Sequence, residues 1–272
     1  VNSLLKSVKV AALLMVFGGF VPTVSNALPA AAIRAADPLA PTPVVAGVAA
    51  PPAVPGERPL TAEDVAAYFD GLVPDAISRA DIAGAVVVVV KDGRPLFERG
   101  YGVSDVKTRH PVEADKTLFR PGSISKTFTW TAVMQLVESG KIDLDADVNQ
   151  YLDFKIPPAF GKPITMRELM THSEGFSDAA KDLIVTDPKA FKSLEVIMKS
   201  AVPARIFPPG TTPAYSNYGA SLAGYIVQRV SGQPFADYVA QHIFAPLGMT
   251  ESTFQQPLPS GWSANLSNGY SV

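Results

Sequence analysis

The residues with the greatest chemical potential are Ser123 and Lys126, in the stretch FRPGSISKTFTW from Phe119 to Trp130. A serine and a lysine three residues apart at a helix start share a face, one turn apart. There the serine oxygen lies near the positive end of the helix dipole, which favours a developing negative charge. A close ammonium lowers the barrier to proton transfer, and a desolvated lysine can act as a base. The same spacing also suits a plain N-cap serine followed by a solvated lysine. A second match, Ser3 to Lys6, lies in an export-like segment that can host no chemistry. Downstream, Tyr215-Ser216-Asn217 is the one Tyr-x-Asn of the chain. A tyrosine near a lysine can take a serine proton and return it to a leaving group. An asparagine beside it can donate to a substrate carbonyl and orient the lysine. Taken alone, YSN after PPGT reads as a turn and a helix cap.

Other chemistries find little support. With no cysteine, disulfides, thiolate zinc sites and a cysteine nucleophile are excluded. Three scattered histidines, His110, His172 and His242, do not suggest a metal site. Asp143, Asp145 and Asp147 alternate like the start of a calcium loop, but Val148 stands where its glycine belongs and Phe154 where its glutamate belongs. Those acids are expected to cap and solvate a turn and the short helix after it. No G-x-S-x-G elbow or glycine-rich phosphate loop is present. The formal net charge is −2 over 272 residues, without the basic run that nucleic-acid binding needs.

The elements that must position these residues follow from patterning. Lys6 and Lys9, the apolar run Val10 to Val21 and VSNA ending at Ala27 have the order of a secretory signal peptide. An exported protein, periplasmic or secreted, is expected. Residues 28–59 are rich in Ala, Pro and Val and read as a semi-extended linker. From Leu60 the chain becomes globular. Thr61 can cap a helix with Glu63 and Asp64 in its first turn and Val65, Tyr68, Phe69 and Leu72 on its apolar face. GAVVVVVKDGRPLFERGYG reads as a hairpin turning at Asp92-Gly93 in a type I′ turn. Its valines, apolar on both faces, predict a strand covered on both sides. Past residue 120 the pattern is helical: 123–139 closed by Gly140, a short helix opened by the Thr165/Glu168 capping box, then 190–202, 217–230 and 235–244. A lone hairpin is marginal, so the sheet reads as unfinished.

Three blocks decide between the readings of Ser123. LFRPGSISKTFTWTAVMQLVESGKIDLDADVNQYL, ITMRELMTHSEGF and PPGTTPAYSNYGASLAGYIVQRVSGQPFADYVAQHIFAPLGMTESTF closely resemble the serine β-lactamase-related family. That family contains class C β-lactamases, D-Ala-D-Ala peptidases and family VIII esterases. The resemblance runs from about residue 62 to 256, and GYGVSD at 100–105 matches the family's second strand and turn. It implies an α+β fold, an antiparallel sheet flanked by helices with a large helical subdomain. Carried over by position, Ser123 resembles the acylated nucleophile, Lys126 its partner and Tyr215 the general base and acid. Asn217 resembles the substrate-contacting asparagine, and the Ser123 N–H one oxyanion donor. The implied reaction is acyl transfer to Ser123 and hydrolysis of an ester, β-lactam or D-amino-acid peptide, with no cofactor. The substrate would be a small molecule or a peptidoglycan-like peptide, with no nucleic-acid or metal partner. The alternatives are a penicillin-recognising sensor that acylates without turnover and a non-catalytic scaffold of the same fold.

The chain departs from the family in two places. No Lys-Thr-Gly or His-x-Gly follows Tyr215. Residues 60–272 therefore read as the N-terminal part of a longer enzyme, ending before its third motif and remaining central strands, and at most feebly active alone. Membrane association of the segment beyond stays open. After His172 many relatives have Thr-Ser-Gly, whereas this chain has Ser173-Glu174-Gly175, which predicts an altered polarity at the pocket rim. His172 itself is expected to hold its loop by hydrogen bonds.

Overall fold

The computed structural model describes residues 58–177 and 190–270. The signal peptide expected over 1–27 and nearly all of the linker expected over 28–59 lie outside them. The chain divides into two compact units, 1–102 with 270–272, and 103–269.

In the first unit, α1 (Ala62–Arg79) starts where the sequence places it, because Thr61 Oγ1 accepts the Asp64 N–H at 3.1 Å. It is followed by β1 (Gly84–Lys91) and β2 (Arg94–Asp105), paired antiparallel with Gly84 opposite Gly102 and a bulge at Val89/Val90. Asp92 and Gly93 have φ of 53° and 73°, the two positive values that a type I′ turn requires. Gly102 is obligatory, since with φ of 70° a Cβ there would lie 2.3 Å from the Ala83 carbonyl oxygen. The core is small: Val65, Phe97 and Tyr101 are buried, with Phe69, Val87 and Val89 against them. Phe69 stacks on Phe97 at 5.7 Å. Asp70 accepts from Tyr101 Oη at 2.8 Å and also pairs with Arg99.

The expectation that β1 is covered on both sides is not met among the described residues. Val87 and Val89 pack in the α1 core, but Val88 and Val90, on the opposite face, are 50% and 62% exposed. The pleat sends successive side chains to opposite faces, and α1 covers only one.

In the second unit, the end of β2 pairs with a two-residue β3 (His110–Pro111) that no periodicity announces. The helices then enclose one core. The longest, α2 (Lys126–Glu138) and α5 (Asn217–Ser231), pack on each other, and α3 (Met166–Met170), α4 (Leu194–Ser200) and α6 (Phe235–Val239) surround α5. The helix expected over 235–244 changes to a π turn at Ala240–Phe244. Ala132, Val133, Leu222, Ala223, Ile226 and Val227 are fully buried. Each large side chain so buried contributes about 1.5–3 kcal/mol relative to exposure. Gly140, at φ of 70°, and Gly232, at 73°, close α2 and α5 in the left-handed conformation.

The acids of the apparent calcium loop are partnered within the protein. Asp143 accepts the Asp145 N–H at 2.9 Å, Asp147 caps the 3-10 turn Val148–Gln150, and Asp145 binds Arg167 through two bonds of 2.7 and 2.8 Å.

Candidate active site

Ser123 lies in a 3-10 turn, Gly122–Ser125, that runs directly into α2. Gly122 takes φ of 59° to start the turn. No side chain caps either this turn or α2, so Ser123 does not act as a helix cap. Lys126, one turn on, opens α2. Tyr215 and Asn217 flank Ser216, which is the N-cap of α5 and accepts the Gly219 N–H at 2.9 Å. Because α2 and α5 pack side by side, their N-terminal ends bring the two motifs together.

All four sequence-derived residues meet in one cluster. Lys126 Nζ donates to Ser123 Oγ at 2.9 Å, to Tyr215 Oη at 2.6 Å and to Asn217 Oδ1 at 2.8 Å. Ser123 Oγ and Tyr215 Oη are themselves hydrogen-bonded. Lys126 Nζ also lies 4.6 Å from the centre of the Tyr215 ring, close enough for a cation–π contact. Ser123 is exposed, and so is Tyr215, at 51%. Burial works to raise the Tyr215 phenol, but hydrogen bonds to Lys126 and Ser123, together with the lysine charge, outweigh it and hold the phenol below its ordinary value. A phenol so lowered, within reach of a hydroxyl, can relay a proton.

His172 supports this arrangement. It leaves α3 in the left-handed conformation, φ 53°, and its Nδ1 accepts the Ser216 N–H at 3.2 Å. Its ring lies 4.6 Å from that of Tyr215 and 6.2 Å from that of Trp130. Burial, and then the charge of Lys126, push its pKa down. The neutral imidazole this favours is what an Nδ1 acceptor requires. The expectation that His172 holds its loop through hydrogen bonds agrees with this geometry.

Glu174 is where the sequence misleads. Expected at a pocket rim, it is fully buried. The rim reading fails because the backbone on both sides of Glu174 is stitched to residues 206–214. His172 O accepts from Ala214 N at 2.7 Å, Ser173 O from Gly210 N at 2.8 Å and Gly175 O from Ile206 N at 2.8 Å.

A cavity of about 490 Å³ opens beside Ser123, with Lys126 and Asn217 on its polar wall and Leu194, Phe235 and Phe254 on its apolar one. A second, of about 500 Å³, shares Gly122, Ser125 and Phe254 with it and is lined further by Phe119, Leu258 and Trp262. These apolar residues belong to no chemical motif, and no local pattern marks them as pocket walls.

A Ser-x-x-Lys opening one buried helix and a Tyr-x-Asn opening its neighbour, in an α+β fold, define the β-lactamase/transpeptidase-like class. The Beta-lactamase family model matches residues 63–262, and the chain belongs to that family. Esterase EstB of Burkholderia gladioli is 30% identical over 224 residues, which cover 77% of this chain and 57% of that protein. A Beta-lactamase of Yersinia enterocolitica is 30% identical over 211 residues, covering 78% and 52%. The solved structure of a class C beta lactamase aligns with a TM-score of 0.64 and 26% identity, over 78% of this chain and 56% of that one. The chain spans about half the length of the curated relatives it matches.

Proposed function

We propose that the protein is a serine hydrolase that forms an acyl-enzyme on Ser123 and acts on carboxylic esters with apolar substituents. The observation that carries this reading is the triple donation by Lys126 Nζ to Ser123 Oγ, Tyr215 Oη and Asn217 Oδ1. One ammonium in contact with both hydroxyls favours the anionic form of each. Tyr215, as phenolate, takes the Ser123 proton while Oγ attacks the ester carbonyl and the carbonyl electron pair moves to oxygen. That oxyanion is met by the Ser123 N–H. When it collapses, the C–O bond to the alcohol breaks, and Tyr215 returns its proton to the departing alkoxide. Water then adds to the acyl-enzyme with the same proton relay, and the carboxylic acid leaves with Ser123 restored. Asn217 holds Lys126 through Oδ1, and its amide N–H remains to donate to the substrate.

The ester reading is supported by the apolar wall of the cavity beside Ser123, which a second apolar cavity adjoins, and by the similarity to a protein named an esterase. Export to the periplasm or beyond is part of the same proposal and rests on the pattern of residues 1–27. Intact-mass spectrometry of the native-length protein after mixing with a p-nitrophenyl ester or a penicillin, with Ser123→Ala alongside, tests it. The expected result is an adduct on the wild type and none on the variant, formed faster with the ester and cleared within the assay. A stable penicilloyl adduct that does not clear would instead identify a sensor. A folded protein that reacts with neither reagent would leave only a scaffold.

A further inference from the structure

Glu174 is an acid with no part in the mechanism above, yet it occupies the space directly beneath the active-site end of α5. Its side chain is fully buried, and its carboxyl lies against the Ser216 hydroxyl. A Cβ on Gly219 would lie 1.9 Å from Glu174 Oε1 and 3.3 Å from Ser216 Oγ. The carboxyl is therefore packed on the first turn of α5, against Gly219. Ser216, which caps that turn, stands between Tyr215 and Asn217, and its N–H is held by His172, two residues before Glu174. The hydrogen bonds from residues 206–214 to His172, Ser173 and Gly175 enclose Glu174, so it cannot reach water unless these open.

We infer that Glu174 is a positioning residue: it locks the first turn of α5 against the His172 loop and so fixes Tyr215 and Asn217 relative to Lys126. This rests on the function proposed above for those three residues. The lock depends on protonation. A neutral carboxyl can fill a dry space, whereas an ionised one there demands water or a counter-charge. Burial pushes Glu174 up to about 7; hydrogen bonding by its own backbone and by the Ser216 hydroxyl opposes this, Glu168, on α3, adds to the rise, and Arg205 opposes it. The charged groups facing it are thus Glu168 and Arg205. Arg205 is itself pressed down by burial, and its Nε and Nη2 are buried without partners, so it is not placed to neutralise Glu174 through a hydrogen bond from either nitrogen. His172, the remaining titratable group of the loop, is shifted downward and changes charge in a lower pH range. Above neutrality the ionised Glu174 loosens the enclosure, and the His172–Tyr215 ring contact goes with it.

Two readouts on the same protein test this. One is the rate at which a fluorophosphonate phosphonylates Ser123 Oγ, with loss of fluoride, between pH 5 and 9, for wild type, Glu174→Gln and Glu174→Ala, with Ser123→Ala as the control for the site. Gln keeps the shape without the charge, and Ala removes the filling. Wild type should lose rate with a midpoint near 7, and Glu174→Gln should match it at pH 6 and exceed it roughly tenfold at pH 8, where the ionised form outnumbers the neutral one by about ten to one. Glu174→Ala should be slow throughout. The second readout needs no activity. The chain has two tryptophans, and in a Trp262→Phe background the emission of Trp130, in ring contact with His172, reports the loop. It should change near pH 7 with Glu174 present and not with Gln. A fluorophosphonate that fails to label Ser123 counts against the proposed function alone, and the emission then decides. Identical pH behaviour of wild type and Glu174→Gln in the emission, or in labelling where labelling occurs, overturns the inference. So does a folded Glu174→Ala that labels at the wild-type rate.

Discussion

Two polar clusters of the second unit contrast with each other. In the first, Ser123, Lys126, Tyr215 and Asn217 are joined by hydrogen bonds, and Ser123 and Tyr215 are open to solvent. In the second, Glu174 is buried with its carboxyl against the Ser216 hydroxyl, and Arg205 Nε and Nη2 are buried without partners. Water can replace a lost partner at an exposed hydrogen bond, so each is worth only about 1 kcal/mol net. A buried polar group has no such substitute, and leaving one unpaired costs several times more. The first cluster is thus free to change its bonding during a reaction without endangering the fold. The second stores its consequences in stability and in the placing of its neighbours. Substitutions should separate the two: chemistry lost without stability in one, stability altered in the other.

The largest effect is expected at Ser123. In the native-length protein, Ser123→Ala should reduce ester hydrolysis by at least about a thousandfold, since removing a covalent nucleophile leaves only binding and electrostatic assistance. Its thermal midpoint should stay where the wild type's is, as surface substitutions away from caps and buried groups change stability by no more than about 0.5 kcal/mol. Hydrolysis assays and thermal melts on the same samples check both. A marked drop in stability would break the contrast by showing that the exposed cluster also holds the fold.

The converse effect is expected at Gly219. Alanine would place its Cβ 1.9 Å from Glu174 Oε1, and the carboxyl, fully buried, would have to shift within the core to make room. Overpacking of this kind costs about 1–3 kcal/mol, and more where nothing can shift. Urea unfolding at pH 6 should show the loss, and adding Glu174→Ser should restore most of it, because residues in contact couple. Additive losses in the double variant would mean that Glu174 is not what Gly219 accommodates.

Next comes the pH dependence of stability. Folding raises the carboxyl of Glu174 from 4.5 to about 7, so the folded state binds this proton more tightly than the unfolded chain does. The stability it contributes is complete below about pH 4.5 and is lost as pH rises through 7. Glu174→Gln should therefore unfold like wild type at low pH and become the more stable of the two above pH 7. The difference should approach about 3 kcal/mol, because each tenfold gain in proton affinity on folding is worth about 1.4 kcal/mol. Denaturant melts at pH 5, 7 and 8.5 measure it. A constant gap across that range would place the cost of Glu174 in its shape and not in its charge.

The legibility of the two clusters in the sequence differs for the same physical reason. Ser123, Lys126, Tyr215 and Asn217 stand in short motifs at helix starts, where spacing along the chain sets which face a side chain shares. Thr61, the Thr165/Glu168 box, Asp92-Gly93 and Gly140 were legible likewise, because caps and turns are decided within four residues. The burial of Glu174 depends on a contact with Gly219, 45 positions on, and on backbone pairing with 206–214. Local pattern gives charge but not enclosure, so an acid in a polar loop read as a rim residue. The same limit explains β1. Alternation could not tell which of its valine faces α1 would cover, and β3, with two residues, has no period to detect. The cavity-lining Leu194, Phe235 and Phe254 come from three separate segments and converge only in the fold.

Ser216 gives the smallest effect and the closest test, because it belongs to both sides of the contrast. It is buried, as Glu174 is, yet partnered, as the active-site residues are: its Oγ accepts the Gly219 N–H and its own N–H is held by His172. Replacing a capping serine by alanine removes one hydrogen bond and costs about 1 kcal/mol. The His172 bond is to the backbone and survives. Ser216→Ala should thus lose little stability at pH 6, clearly less than Gly219→Ala. Its activity should fall further than its stability, because Tyr215 and Asn217 flank the weakened cap and must hold their places within a few tenths of an ångström of Lys126. The measurement is kcat for the ester beside the urea midpoint. A kcat equal to wild type would show that the His172 bond alone fixes Tyr215 and Asn217. A fall in kcat that Glu174→Gln partly reverses at pH 8 would show instead that the cap and the buried acid act on the same turn.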